Sequence, residues 1–526
     1  MERHRDFRWI RVCLAGMMGS AGMVGCGQIV GIEEPRDTRP HGGAGGDQES
    51  GGHGTGLTSG GGGSTTSGSA GNTGMGSSGM GGEGMGGVGQ GGAGAGTCAK
   101  VCNDGAWLHR GHGDGDARAE SAAFDTAGNL VVAGNFAGTM VLADETISTF
   151  SKTDIDGFVA KFAGKGNIDW IQPIGDANNA TYDVRLAAAV DGSVAVVGNS
   201  GRITRPPGFP QESTKGDSDI FVANFDANGT LKWATMVGSD NGEYVGGVAI
   251  DAHGNVIVTG YFWGAMTCDG ASLGSVASYD VFVAKWNADG KLQWAKPFGG
   301  LGNQNANAIA VDPSGNILIA GRFSGPFSTG VVLNHIGNDD VFVIQLDENG
   351  TPLHAMAWGT AAGYENAFAL ASDGSNVYVG GSASGASGTA ALVLRFDASL
   401  NTLSTKAWGQ TKYQAVQSLM VAGDGSVLIA GTFQEPLDIG CGLLTTDGMA
   451  RSIFLGGFSP ELDCIWQQPY NAEPHTDSIC AIAARGTCDI ALAGSMTVQT
   501  PFDCPSESNP PTGEDAFVFK LPIPLP

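Results

Sequence analysis

From about residue 105 onward the chain is a succession of short β-forming runs, each ending in glycine. They are Val131-Val132-Ala133-Gly134, Val196-Val197-Gly198, Ile257-Val258-Thr259-Gly260, Ile317-Leu318-Ile319-Ala320-Gly321, Val377-Tyr378-Val379-Gly380, Leu428-Ile429-Ala430-Gly431 and Ala491-Leu492-Ala493-Gly494. Their spacing is close to sixty residues, except for a fifth unit near fifty. A turn of the form Asp-x-x-Gly-Asn precedes several of them (Asp125 to Asn129, Asp251 to Asn255, Asp312 to Asn316), and a further strand precedes that turn, as in Val248-Ala249-Ile250. Two strands joined by a Gly-bearing turn predict a tight hairpin, because Gly supplies positive φ without steric cost.

Later in each unit an acidic residue opens a third strand: Asp156 before Phe158-Val159, Asp219 before Phe221-Val222, Asp280 before Phe282-Val283, Asp340 before Phe342-Val343 and Asp515 before Phe517-Val518. A second Gly turn follows, then a strand carrying Trp170, Trp233, Trp294 or Trp466. Alternation of period two predicts β-structure throughout. Four short strands per unit cannot cover their own apolar faces, whereas a ring of such sheets can. The expected architecture is all-β: a seven-bladed β-propeller with four antiparallel strands per blade. The last unit lacks a Trp strand, and a spare one lies at Ala106 to Arg110. That strand is expected to add to the last blade and so remove an exposed edge.

These motifs resemble the SBBP-type repeat proteins, in which Asp-x-x-Gly-Asn, then Asp-x-Phe-Val-x-Lys-Phe, then Gly-x-x-x-Trp recur. Units three and four match best. Unit five, with Ala391-Leu392-Val393-Leu394, and unit six, with Arg451 to Phe458, depart from the pattern. The resemblance implies a fold and an extracytoplasmic location, and no particular activity.

Composition divides the chain. Arg3, Arg5, Arg8 and Arg11 precede an apolar stretch from Ile10 to Val24, which is too short and Gly-rich to span a bilayer but suits a secretory signal. Met23-Val24-Gly25-Cys26 resembles the lipobox of bacterial lipoproteins, which implies acylation of Cys26 and a new N-terminus there. Gly27, in place of Asp, points to the outer membrane. Residues 42–97 hold 27 of the chain's 88 Gly. Such a segment buries too little apolar area to offset chain entropy, so it reads as a disordered tether reaching roughly 40 Å. The expected organisation is residues 1–26 as signal, 27–97 as linker and 98–526 as propeller, exported and displayed at the outer membrane or cell surface.

The formal charge is −25, from 27 Lys+Arg against 52 Asp+Glu. A surface of that sign repels phosphate backbones, which disfavours nucleic acid as a partner. No Gly-x-Ser-x-Gly elbow with an assignable base, His-Glu-x-x-His or zinc-spaced Cys pair with nearby His is present, and the arginines are scattered. The Asp/Asn-x-Asp/Asn-Gly turns each offer two or three oxygens where Ca²⁺ needs six or more, so they read as hairpin turns, with Ca²⁺ the one cofactor they bring to mind.

Trp once per unit reads as packing between blades, and Trp263 or Tyr261 would be the better sugar platform. Glu120, Asp183, Glu243, Asn305 with Asn307, Glu365, Gln414 with Gln417, and Asp477 lie at the entry to each first strand. In a propeller they would ring one mouth of the channel and form a rim for a cation, an amine or a polyol.

Eight cysteines remain beyond Cys13 and Cys26, in a chain whose export permits disulfides. Cys480 and Cys488 sit at opposite ends of one stretch, beyond the roughly 7 Å that a disulfide allows between Cα atoms. The expected pairs are Cys464 with Cys488 and Cys98 with Cys102, leaving Cys441 and Cys504 to pair with each other or with Cys480. The functional expectation is a monomeric, lipid-anchored binding or scaffold module for an extracellular protein or glycan. The alternatives are a polysaccharide- or peptide-acting enzyme using channel-mouth carboxylates, or a structural component of an envelope complex.

Overall fold

The computed structural model describes residues 107–522, apart from 152–153, 178, 202, 204–205, 210–217, 386, 410, 435, 446–450, 471–477, 486–488 and 497–513. Cys26, Cys98 and Cys102 lie outside the described residues, as do Asp477, Cys488 and Cys504. The described chain is all-β, and its strands follow the sequence repeats. Repeat one spans 117–174, two 181–238, three 243–300, four 304–358, five 364–408, six 414–470 and seven 478–522.

Repeats one, four, five and six each form a separate four-stranded antiparallel sheet with its strands in chain order. Repeats two and three join with a small ribbon from repeat four in a ten-stranded sheet. The three strands of repeat seven join a six-stranded sheet with the leading strand Trp107–Gly113 and the ribbon Thr139–Leu142/Glu145–Ser148 of repeat one. The leading strand pairs antiparallel with Asp515–Pro522, from Trp107 opposite Lys520 to Gly111 opposite Ala516. The two ends of the folded region therefore share one sheet.

The larger sheets arise because ribbons inserted between second and third strands pair with the fourth strand of the repeat before. Cys268 in repeat three lies opposite Val237 in repeat two, and Phe327 in repeat four opposite Gly300 in repeat three. Val141 in repeat one lies opposite His112 in the leading strand, which thus stands where a fourth strand would.

The core sits between sheets. Phe136, Phe158 and Phe162 of repeat one pack with Ala491, Ala493 and Val518 of repeat seven. Val131 and Val159 of repeat one pack with Phe221 and Phe225 of repeat two. Repeats two and three share another cluster, as do three and four, four and five, five and six, and six and seven. Third strands are covered on both faces, so Asp219–Phe225, Asp340–Leu346 and Ser452–Phe458 are buried at every position. Fourth strands, such as Leu231–Gly238, lie partly in solvent and carry the polar residues.

The Gly turns close as hairpins. Asp125 N–H donates to the Asn129 carbonyl (2.9 Å) and Gly128 N–H to the Asp125 carbonyl (3.0 Å), with Gly128 at φ 86°. Asp226 Oδ1 accepts the N–H groups of Asn228 and Thr230, so this Asp oxygen serves the turn's own backbone.

One recurrent feature has no mark in the sequence. Every first strand carries a register shift: at Ala119/Ser121, Tyr182/Arg185, Val245/Gly247, Ala306/Ala308, Ala367/Ala369, Val416/Ser418 and Ile479/Ala481. A bulge bends its strand and frees a residue from pairing. Here it turns Glu120, Asp183, Asn307 and Gln417 out of the ladder.

Cys464 is bonded to Cys441, with Cα atoms 5.6 Å apart, which corrects the expected Cys464–Cys488 link and the pairing of Cys441 with Cys504 or Cys480. The sequence reading placed Cys441 by its repeat position. In the fold, the ribbon of repeat six (Leu437–Asp438, Leu443–Leu444) folds back onto the start of that repeat's own fourth strand, and Gln467 donates to the Gly442 carbonyl (2.8 Å).

Candidate functional site

The residues at the first-strand entries are mostly interior. Glu120 is 2% exposed, Glu243 0%, Glu365 1%, Gln414 0% and Asn305 7%, so these five do not stand in solvent. Glu120 Oε2 accepts the Val184 N–H (2.6 Å) and meets the Arg185 guanidinium (3.3 Å), which ties repeat one to repeat two. Asn307 donates to the Asn366 side chain (2.7 Å) and the Ala367 carbonyl (2.9 Å), which ties repeat four to repeat five. Glu365 Oε1 accepts the Thr360 hydroxyl (2.6 Å), and burial pushes its carboxyl above the ordinary range.

Glu243 accepts the Ser239 hydroxyl and, at 3.1 Å, the Ser239 N–H. Burial pushes its carboxyl up from near 4.5 to about 8. The Ser239 hydrogen bonds pull against that rise, and a hydrogen bond that the protonated Glu243 carboxyl gives to the Asp219 side chain adds to it.

The acids that open the third strands do similar work. Asp156 accepts the Phe150 N–H (2.9 Å), Asp280 those of Val276 and Gly300, and Asp340 those of Ile336 and Gly337. A carboxylate accepting backbone N–H groups satisfies donors a buried loop would otherwise strand.

A second recurrent set lies at the hairpin turns. Lys161 meets Asp125 (2.8 Å) and donates to the Ala227 carbonyl (3.3 Å) of the next repeat. Lys285 meets Asp251 (2.9 Å) and donates to the Glu348 carbonyl (3.2 Å). The Trp strand completes the contact: Trp170 Nε1 donates to the Ala227 carbonyl (3.0 Å), Trp233 to Ala288 (3.0 Å) and Trp294 to Glu348 (3.2 Å). Trp107 of the leading strand and Lys520 both donate to the Gly164 carbonyl of repeat one, at 3.3 Å each. The recurring tryptophans are packing residues between repeats.

Repeat three also carries an aromatic face. Tyr244 lies opposite Tyr261, and Trp263 opposite Tyr279, on the strands of repeat three. Directly opposed residues share a sheet face, as do residues two apart, so the four rings occupy one face. The Tyr244 and Tyr261 rings stack at 5.0 Å, and Tyr279 meets both edge-on at 5.8 and 5.6 Å. Trp263 is 50% exposed. Burial pushes the Tyr244 hydroxyl up to about 12 and the Tyr261 hydroxyl higher still, where the charge of Asp183 adds to the rise and that of Arg322 opposes it.

Asp183 stands at φ 55°, left-handed for a side-chain-bearing residue in a strand. Burial raises its carboxyl, with Arg185 and Arg118 opposing. Arginines far apart in sequence therefore converge on this corner, each already paired: Arg118 with Glu514 (2.6 Å), Arg185 with Glu120 and Arg322 with Asp339 (2.9 Å). Their spacing along the chain carried no sign of it. Among the described residues no group of three or more His, Cys, Asp or Glu could hold a metal ion.

No protein-family model matches the chain. It is similar to a WD repeat-containing protein of Acanthamoeba polyphaga mimivirus, at 26% identity over 26% of this chain and 12% of that protein. It is also similar to the regulatory protein FlaEY of Caulobacter vibrioides, at 24% identity over 45% of this chain and 24% of that protein. The chain therefore matches a quarter or less of the length of these curated relatives. Among solved structures it is similar to an ulvan lyase, with a TM-score of 0.40, 12% identity and coverage of 74% of this chain and 92% of the lyase. It is also similar to Sqt1 of Chaetomium thermophilum, with a TM-score of 0.37, 10% identity and coverage of 78% and 98%.

Proposed function

We propose that the seven repeats are the blades of a propeller of the SBBP-repeat kind, carried by a Gly-rich tether from an acylated Cys26, and that it serves as a surface-displayed binding module. The propeller reading is supported by the docking of Trp107 and Lys520 on Gly164, the contact Trp170 and Lys161 make on Ala227. The first strand of repeat one also packs against that of repeat seven, as first strands do between consecutive repeats.

One observation carries the choice of binding over catalysis: Glu120, Glu243 and Glu365 are sealed in the interior as fastenings between loops and repeats. General acid–base work needs a carboxyl within reach of substrate. The Asp219–Glu243 pair is an arrangement that favours the enzyme reading, since a raised carboxyl beside a second acid is a familiar catalytic combination. Its residues are 3% and 0% exposed.

The test has two arms. Radiolabelled palmitate should enter the wild-type protein and not Cys26→Ser, and external protease should remove the propeller from intact cells. The purified full-length protein should release no products from envelope polysaccharides or peptidoglycan. Turnover abolished by Glu243→Gln would establish the enzyme instead.

A further inference from the structure

The aromatic face of repeat three is a polar, ring-bearing surface that takes no part in the internal fastenings described above. Trp263 follows Tyr261 by two positions, and both lie beside their cross-strand partners Tyr279 and Tyr244. The three tyrosines pack on one another, which fixes their planes, while half of Trp263 remains open. A rigid aromatic ring with an open face, flanked by hydroxyls, is the lining that accepts the C–H face of a sugar ring while donors nearby meet its hydroxyls.

The polar groups around this face discriminate between ligands. The Tyr244 and Tyr261 hydroxyls stay protonated at neutral pH, and that of Tyr244 is engaged by Tyr279. Asp183 differs from the other residues of the first-strand entries in its backbone, which is held at a φ that non-Gly residues adopt at a cost. Its charge acts on the Tyr261 hydroxyl, so its carboxyl lies in the neighbourhood of that ring.

A cationic ligand gains little there, because burial raises the Asp183 carboxyl and so disfavours its charged form. An anionic ligand is disfavoured as well: Arg118, Arg185 and Arg322 are each engaged by an acid, and an anion would have to break an existing pair. What remains suited is an uncharged molecule with many hydroxyls.

We infer that Trp263, Tyr261 and Asp183 form a binding site for a neutral oligosaccharide, with Trp263 as the stacking platform and Asp183 and the Tyr261 hydroxyl as its hydrogen-bonding partners. This inference rests on the binding-module reading and names the ligand class of that module.

The test uses the full-length protein in detergent, titrated calorimetrically with cellohexaose, maltohexaose and mannohexaose. Hexagalacturonate and a chitosan hexamer serve as the anionic and cationic comparators. At least one neutral hexamer should bind, and more tightly than either charged one. Trp263→Ala should weaken that binding by about tenfold or more, the loss expected when one stacked aromatic contact is removed. Its melting temperature should stay close to wild type, because half of the ring was never buried.

Asp183→Gly supplies a second readout that a structural role would not produce. Relief of the left-handed φ should hold or raise the melting temperature while binding falls. The site is refuted if no neutral hexamer binds, if a charged hexamer binds more tightly, or if Trp263→Ala binds like wild type. Failure here with display intact and no turnover removes only the saccharide site. Turnover of a polysaccharide would remove the binding-module reading itself.

Discussion

Individual carboxyls in this protein are defined by what the fold makes them hold. Glu243 is the sharpest case, buried completely and set against Asp219. Its folded value, about 8, lies above the ordinary one near 4.5, so the folded state binds this proton more tightly than the unfolded chain does. The resulting stabilisation is fully present below about pH 4.5 and is lost as pH rises towards 8. Melting temperature should therefore fall across that window, and Glu243→Gln, which keeps the neutral shape, should show a shallower fall. Parallel slopes for the two proteins would contradict the assignment. Glu365 and Asp280 are shifted upward by burial too, so some slope should remain. At Gly166 the constraint is steric: φ is 90° and a Cβ would stand 2.9 Å from the Trp107 ring. Gly166→Ala should destabilise by about 1–3 kcal/mol through left-handed strain and the displaced ring, measurable by urea unfolding.

At the level of elements, the leading strand does the work of a missing fourth strand. It supplies the outer ladder of repeat seven, the Trp that docks on the next repeat, and a buried Arg110–Asp515 contact at 2.5 Å. Burial still outweighs Arg110 and holds the Asp515 carboxyl above its ordinary value, so this ion pair is a poor explanation of the strand's hold. Trp107 packing is the better one. The ring stacks on Phe162 at 5.3 Å, and Trp107→Ala should cost about 3 kcal/mol, near the lower end for loss of a large aromatic. A loss below about 1 kcal/mol in chemical unfolding would mean that the seam is held elsewhere. The Cys441–Cys464 bond links residues 23 apart and anchors the ribbon of repeat six. Replacing both by Ser should lower stability by about 3 kcal/mol, from the entropy regained by the unfolded chain. Reduction of the wild type should reproduce that loss.

For the molecule as a whole, a net charge of −25 favours solubility and disfavours phosphate-rich partners. Cys26→Ser should release the protein from membrane pellets into the soluble fraction, and its retention in the pellet would argue for another mode of attachment. The repeat period, the four strands of each unit, the Gly turns and the spare leading strand were all legible in the sequence, because hairpins depend on near neighbours and strand alternation is a local property. The packing role of the tryptophans was legible too, from their recurrence alone. Four things were not. The bulge in each first strand leaves no compositional trace, since any residue can be the one squeezed from the ladder. The burial of Glu120, Glu243 and Glu365 depends on the neighbouring repeat that covers them. The Cys441–Cys464 bond depends on a ribbon folding back within its own repeat. The electrostatic influence of Asp183 and Arg322 on Tyr261 joins residues from three repeats. The sequence by itself determined the repeating unit, because hydrophobic alternation and turn chemistry act over a few residues. Tertiary structure alone decided which polar groups are sealed and which face is left open, because desolvation and pairing are set by neighbours distant in the chain.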